Sequence, residues 1–589
     1  MTGAEFTIAT DYHVIPAGSI TGMLYMAGAA RPMNNNHVAL HASTLLGVNA
    51  MSSINSLQAI PGLKAEALCQ HAHSFIALIR EYSSEHHLLR SGIGKLAAYG
   101  FRCLVTTAAA GVVLHVSAAE LGTYSKDAIA RRQYAGVTLN VLTLAPPVLG
   151  DPVVQHAQEF EKLTGAKINV TRVPFPDLYQ ETLLGLKQDK YDVLTFGSMW
   201  IADVLEYLEP LPPTMLASPE YRDVLPHYKR IASWGNTAYM VPIDGDRHYL
   251  QYRRDLLEDP VFMAEFRKQT GKQLGIPKTW PDLQEIARFF QGRKTSDGQE
   301  ISGIAEVTVS DALLGNYFIK RAAPYAKHPG VKGGFYFDLK TMEPLINSPG
   351  WVEALKDFVA AQDLYPKGGQ TMSFFDTITT FGRGNVVFSD SWDDPMVEAM
   401  EPGNPLRNKV AAALSPGSRK VWNRNTGKWD EFPNVNYAPY IVYGWTSGVA
   451  KSSKHKQAAF DFLGFYANRK NHQADLHVGR YGMNPFRQSD LDARLWTGNG
   501  WEPVVAQSYV KMLDDQAKSK NRVLDLRIYR GQEYVYLLSV GVYRAITGRE
   551  SPQAALDDVA LRWKQLTERI GVDKQREAYR NVVRFEDNE

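Results

Sequence analysis

The sequence predicts an α/β fold, and the alternation of segments from residue 137 to about 197 predicts it. Val137–Leu144 is a run of apolar and β-branched residues, and the stretch from Pro152 to Leu163 has helical periodicity that Gly165 ends. Lys167–Val173 reads as the next strand, Asp177–Lys187 as the next helix, and Tyr191–Phe196 as a third strand running into Gly197-Ser198. This β-α-β-α-β order implies parallel strands with helices on both faces, since a parallel return needs a long crossover. Ligands of such sheets bind beyond the carboxyl ends of the strands. Asp192, Ser198, Met199 and Trp200 are placed at or near that end of the third strand. Further on, Trp280–Phe290, Pro349–Gln362, Lys454–Asn468 and Pro552–Ile570 read as amphipathic helices.

Composition narrows the function. The chain has 589 residues, 44% hydrophobic and 11% aromatic, enough for large cores and for two to four domains at roughly 100–200 residues each. Its 64 basic and 62 acidic side chains leave a net charge of +2, which gives no support for a nucleic-acid binder. Two cysteines support neither a disulfide framework nor a four-cysteine zinc site.

The composition changes sharply near residue 120. Residues 1–119 hold both cysteines, Cys69 and Cys103, and eight of the fifteen histidines, but none of the eleven tryptophans. They carry only six Lys/Arg and five Asp/Glu. At the junction, Arg90, Lys95 and Arg102 precede the apolar run Cys103–Val116, followed by Ser117-Ala118-Ala119 and Glu120. A basic flank, a short apolar segment and a small-residue exit are the parts of an export signal, here at 88–119, with cleavage expected after Ala118 or Ala119. The run is shorter than the roughly 20 residues that span a bilayer, and the alternative is a buried core helix. Residues 1–87 are then either an upstream mis-assignment of the start or a true extension with its own role. His71, His73, His86 and His87 lack carboxylates at ligand spacing, so no metal site is expected there. Cleavage leaves a mature chain of about 470 residues with no cysteine.

Catalytic motifs are sparse. No glycine-rich loop ends in Gly-Lys-Ser/Thr, and neither His-Glu-x-x-His nor Gly-x-Ser-x-Gly occurs. Two acidic groups stand out, Asp244-Gly-Asp246 and Asp390-Ser-Trp392-Asp393-Asp394. Paired carboxylates suit a glycosidase. With a tryptophan between them they equally suit sugar binding, carboxylates accepting from hydroxyls while the ring covers the apolar C–H face; the third reading is solvent-facing turns.

Four stretches from residue 136 onward resemble the family 1 extracellular solute-binding proteins of bacterial ABC importers, the maltose-binding-protein type. They are Tyr191–Trp200, Tyr239–Leu256, Thr279-Trp-Pro-Asp-Leu283 and Tyr443–Leu463, in that order. The resemblance implies a two-lobed periplasmic-binding-protein fold, each lobe a sheet flanked by helices. Lobe 1 would comprise 136–242 with 448–485, and lobe 2 243–447 with 486–589. Three crossings would join them, near Val241–Asp244, Gly444–Ala450 and Tyr481–Arg487. Gly330–Leu345 and Ser415–Pro433 are candidate insertions. The implied role is periplasmic binding of a carbohydrate, handed to the membrane permease of an ABC importer, by a monomer with no cofactor, no metal and no covalent step. The alternatives are an exported glycan-active hydrolase and a sensory sugar receptor without a transport role.

The expected ligand-binding residues are Ser198, Trp200, Asp244, Asp246, Asp390, Trp392, Asp393, Trp445 and Arg487. Trp200, Trp392 and Trp445 lie beside strand ends or crossings among glycines and small polar residues, which is unusual for core tryptophans. The aspartates would accept from hydroxyls, and Arg487 would donate a bidentate pair.

Overall fold

Two sheets organise the residues described by a computed structural model, which are 122–587 apart from 147, 296–297 and 442–443. The first sheet grows from the predicted alternation. Strand β1 (Thr138–Leu144) leads to helix α1 (Gly150–Thr164), which stops at Gly165, and then to β2 (Lys167–Val173). Helix α2 (Phe175–Lys187) follows, then β3 (Val193–Gly197), whose five residues are all buried. β1 pairs in parallel with both β2 and β3, as the β-α-β-α-β order implies. A short strand β4 (Met240–Pro242) joins this sheet at its far edge.

The chain then leaves for a second sheet. It contains β5 (Tyr249–Arg253), β6 (Ser302–Ala305), β7 (Val386–Ser391) and β8 (Val410–Ala413), in the order β8-β5-β7-β6. Helix α3 (Trp280–Phe290) packs on it, and its start is fixed by a capping box in which Thr279 and Asp282 satisfy each other's backbone N–H. Helices α4 (Ala312–Ala326) and α5 (Pro349–Ala360) complete the central part of this lobe. The 330–345 segment inserts Phe335, Tyr336 and Phe337 into the core, where the Tyr579 hydroxyl accepts from their three backbone N–H groups at 2.9, 3.0 and 3.3 Å. The 415–433 segment contributes most of a hairpin, β9 (Ser418–Asn423) and β10 (Lys428–Asn436), with Trp422 edge-on to Trp429 at 5.7 Å.

Strand β11 (Trp445–Val449) returns to the first sheet and pairs antiparallel between β3 and β4, giving the order β2-β1-β3-β11-β4. Helix α6 (Lys456–Tyr466) then covers α1, with Phe462 and Phe465 against Phe160 at 5.5 and 5.9 Å. The chain passes back to the second sheet through 481–487. Helix α7 (Pro503–Lys518) packs beside β8, and three final helices follow: α8 (Gly531–Ile546), α9 (Pro552–Ile570) and α10 (Val572–Glu586). The architecture is thus two α/β lobes, joined at 243–248, just before β11, and at 481–487. No helix among the described residues is long and apolar enough to cross a membrane. The expected export signal at 88–119 and the 1–87 extension lie outside the described residues.

Candidate functional site

Register creates the aromatic wall of the first lobe. β11 pairs with β3 so that Trp445 stands opposite Gly197, one residue before the 3₁₀ turn Ser198–Trp200. Trp200 and Trp445 consequently meet edge-to-face at 6.0 Å and 83°. Two further rings come from the first turns of α2. Phe175 lies 6.2 Å from Trp445, and Tyr179, four residues on and therefore on the same helix face, lies 5.2 Å from Trp200. All four rings stand at the carboxyl ends of β2 and β3, where an α/β sheet presents its ligand site. Ser198 is buried in the same turn. Phe175 and Tyr179 escaped the sequence reading; their signal was an i, i+4 aromatic pair at the start of the helix after the second strand.

Asp192 does not share this end. It precedes β3, and its carboxylate accepts from the backbone N–H of Asn140 at 2.8 Å and from Ser453 at 2.6 Å. The expectation that it lies near the carboxyl end is corrected: it opens the strand and ties it to its neighbours.

The second lobe contributes Trp392. Antiparallel pairing of β5 with β7 sets Tyr249 opposite Ser391, which brings His248 alongside Trp392, ring to ring at 4.1 Å and perpendicular. Tyr317 and Phe374 close around the indole at 5.7 and 5.1 Å. His248 is fully buried, its ring nitrogens have no hydrogen-bond partner among the described residues, and burial holds its pKa well below the ordinary histidine value. It is therefore a neutral imidazole at physiological pH. Phe375, beside Phe374, is 61% exposed.

Asp244 and Asp246 tie two crossings together. One oxygen of Asp244 accepts from both the backbone N–H and the side-chain amide of Asn484, at 2.6 and 2.8 Å, and Asp246 accepts from the same amide at 3.2 Å. Gly245 between them donates to the Asn484 carbonyl at 3.0 Å; a Cβ there would meet the Pro485 carbonyl oxygen at 2.0 Å, so only glycine permits this approach. Arg247 completes the knot, donating to the Tyr228 hydroxyl at 2.9 Å and standing 3.7 Å from Asp393. Asp393 also accepts from the Tyr509 hydroxyl. Burial raises the pKa of Asp244, Asp246 and Asp393, and pushes Asp394 up to about 7. Carboxyls grouped with Asn484 in this way place several hydrogen-bonding atoms close together, which suits a hydroxyl-rich solute.

Two expected residues lie elsewhere. Asp390 points inward from β7 to the Lys320 ammonium, 3.0 Å away, and accepts from Ser415 at 2.9 Å. Lys320 in turn holds Glu306 at 3.1 Å, and Glu306 pairs with Arg321, which also binds Asp357. Arg487 gives its guanidinium to the backbone carbonyls of Glu220 and Ala467, 1% exposed, and stacks on Phe486 at 4.7 Å. Its acceptors are fixed main chain of the first lobe. Among the described residues no group of three or more His, Cys, Asp or Glu is arranged to hold a metal ion.

Two sheet-and-helix lobes, three crossings and aromatic residues at the strand ends of both lobes define a two-lobed binding-protein architecture. Residues 155–498 match the bacterial extracellular solute-binding proteins, and the chain belongs to that family. Its fold is also that of solved structures at low identity. An ABC transporter solute-binding protein of Agrobacterium radiobacter K84 in complex with ribitol is 18% identical, with a TM-score of 0.57 over 74% of this chain and 100% of that one. Maltose-bound MalE3 of T. maritima is 20% identical, with a TM-score of 0.57 over 73% and 100%. The Agrobacterium vitis S4 protein with bound D-mannitol is 16% identical, with a TM-score of 0.56 over 74% and 99%. No curated protein matches the chain.

Proposed function

We propose that this solute-binding protein is the exported receptor of an ABC importer, taking a carbohydrate or sugar alcohol between its lobes and delivering it to a membrane permease. The observation that carries the reading is the placement of aromatic rings on both lobes, Trp200 and Trp445 on one and Trp392 on the other, around crossings lined by Asp244, Asp246 and Asp393. Rings cover the apolar faces of a sugar, while the buried carboxyls and Asn484 address its hydroxyls. Solved structures of the same fold with ribitol, D-mannitol and maltose bound support this ligand class. Trp200, Trp445, Trp392, Ser198, Asp244, Asp246 and Asp393 form the proposed site, with Phe175 and Tyr179 added; Asp390 and Arg487 are left out of it. The chemistry is binding, without a covalent step.

A thermal-shift screen of ribitol, D-mannitol, maltose and longer maltooligosaccharides tests the proposal. A true ligand at 100 times its Kd adds about 2.7 kcal/mol of stability, and turnover is expected for none. Stabilisation by none of these but by amino acids would refute the carbohydrate assignment, and hydrolysis of a glycoside would refute the binding-only chemistry.

A further inference from the structure

The segment 525–532, leading into α8, belongs to the second lobe but is seated on the first. α8 is anchored in its own lobe by α4, the backbone N–H of Gly315 donating to Ser539 Oγ at 2.8 Å. Just before the helix, the buried Arg527 donates to two carbonyls of the first lobe, Ile231 at 2.6 Å and Ser198 at 3.2 Å. The Arg530 N–H, at the start of α8, is received by both carboxylate oxygens of Asp203 at 3.1 Å each, so a side chain of one lobe caps a helix of the other. Tyr179, a ring of the aromatic wall, donates to the same carboxylate at 2.9 Å. One residue into the helix, Gln532 Oε1 accepts the indole N–H of Trp200 at 3.2 Å.

The backbone is shaped for this contact. Arg530 has φ 58°, a left-handed conformation that a non-glycine residue occupies at a cost and that tends to persist at functional positions. A Cβ on the adjoining Gly531 would meet the Leu526 carbonyl oxygen at 2.3 Å, so the turn that presents Gln532 is as tight as the chain allows.

We propose that Gln532 is a positioning residue for the ligand wall: reaching across from the second lobe, it fixes the indole edge of Trp200 and, with Asp203 capping the helix that carries it, latches the lobes together. The inference deepens the clamp reading above and rests on it. A latch that includes a wall residue couples closure to ligand geometry, because the indole takes its binding orientation only when the second lobe has arrived. Gln532 does this through hydrogen bonding, so an acceptor of similar length serves and an apolar isostere does not.

The test uses the full chain. Ligand-free protein exchanges between open and latched arrangements, so Gln532→Leu should shift it toward the open one, raising hydrogen exchange of amides 198–204 and 527–533 by up to about fivefold, the worth of one net hydrogen bond, and enlarging the particle in small-angle scattering. Gln532→Glu, which keeps an acceptor, should restore both. Trp200→Phe, which removes the donor but keeps a ring, should act like Gln532→Leu and add nothing to it in the double variant; it also stands in if Gln532→Leu fails to fold. With maltose or ribitol as probe, whichever the parent binds, Gln532→Leu should raise koff about fivefold with kon nearly unchanged. Parental exchange and scattering in both Gln532→Leu and Trp200→Phe, or equal effects of Gln532→Leu and Gln532→Glu, would overturn the latch. The exchange and scattering arms need no ligand, so they decide the latch even if neither probe binds and the carbohydrate reading falls.

Discussion

Replacing Glu306 with Leu should lower the stability of the folded chain by about 3–5 kcal/mol, read as a drop in the urea midpoint. Glu306 is fully buried and stands between two cations, Lys320 at 3.1 Å and the paired Arg321. Its carboxyl is held below the usual glutamate range: burial alone would raise it, but Arg321 and then Lys320 outweigh that penalty. Tyr365 donates a further hydrogen bond at 3.1 Å. Removing the anion leaves two cations inside the lobe with only Asp390 and Asp357 to answer them, and breaking a buried pair from one side costs on this scale. Converting Lys320 to Met in the same chain should recover part of the loss, because the unpaired charge is what destabilises. A Glu306→Leu chain as stable as its parent would mean the network is dispensable.

The second large effect concerns binding. Trp445→Ala or Trp392→Ala should weaken carbohydrate binding by about 2 kcal/mol or more, roughly 30-fold, with the fold retained. Trp445 is the middle ring of the wall, touching Phe175 on one side and Trp200 on the other, so its loss leaves both neighbours without an edge to pack against. Trp392 is braced by His248, Tyr317 and Phe374, and the proposed site sets it opposite that wall. Isothermal titration with the best ligand of the screen measures the loss. Parental affinity in both variants would remove the aromatic residues from the site.

Much of the scaffold was legible because its signals are local. The helix Trp280–Phe290 has the boundaries read from sequence, since Thr279-Trp-Pro-Asp282 carries its own cap, and Lys167–Val173 and Pro552–Ile570 likewise begin and end as read. The wall was partly legible: a tryptophan after a Gly-Ser strand end points to the carboxyl edge of the sheet, but its pairing with Trp445 depends on a register across some 250 residues of chain. Asp390 and Asp393 looked alike in sequence. What separates them is the neighbour each finds, Lys320 on α4 for one and Arg247 with Tyr509 for the other. Arg487 was misread for the same reason, since its acceptors are the main-chain carbonyls of Glu220 and Ala467, which carry no side-chain signature. Asp192 was placed at the wrong end of its strand although the chain direction alone assigns it to the start.

Small-angle scattering with and without saturating ligand tests the clamp itself. Lobes joined by three short crossings move relative to one another by default, and a ligand touching both favours the closed arrangement by its differential affinity. The account predicts a smaller radius of gyration for the carbohydrate-bound protein than for the free one. An unchanged radius, with binding shown independently by titration, would contradict it.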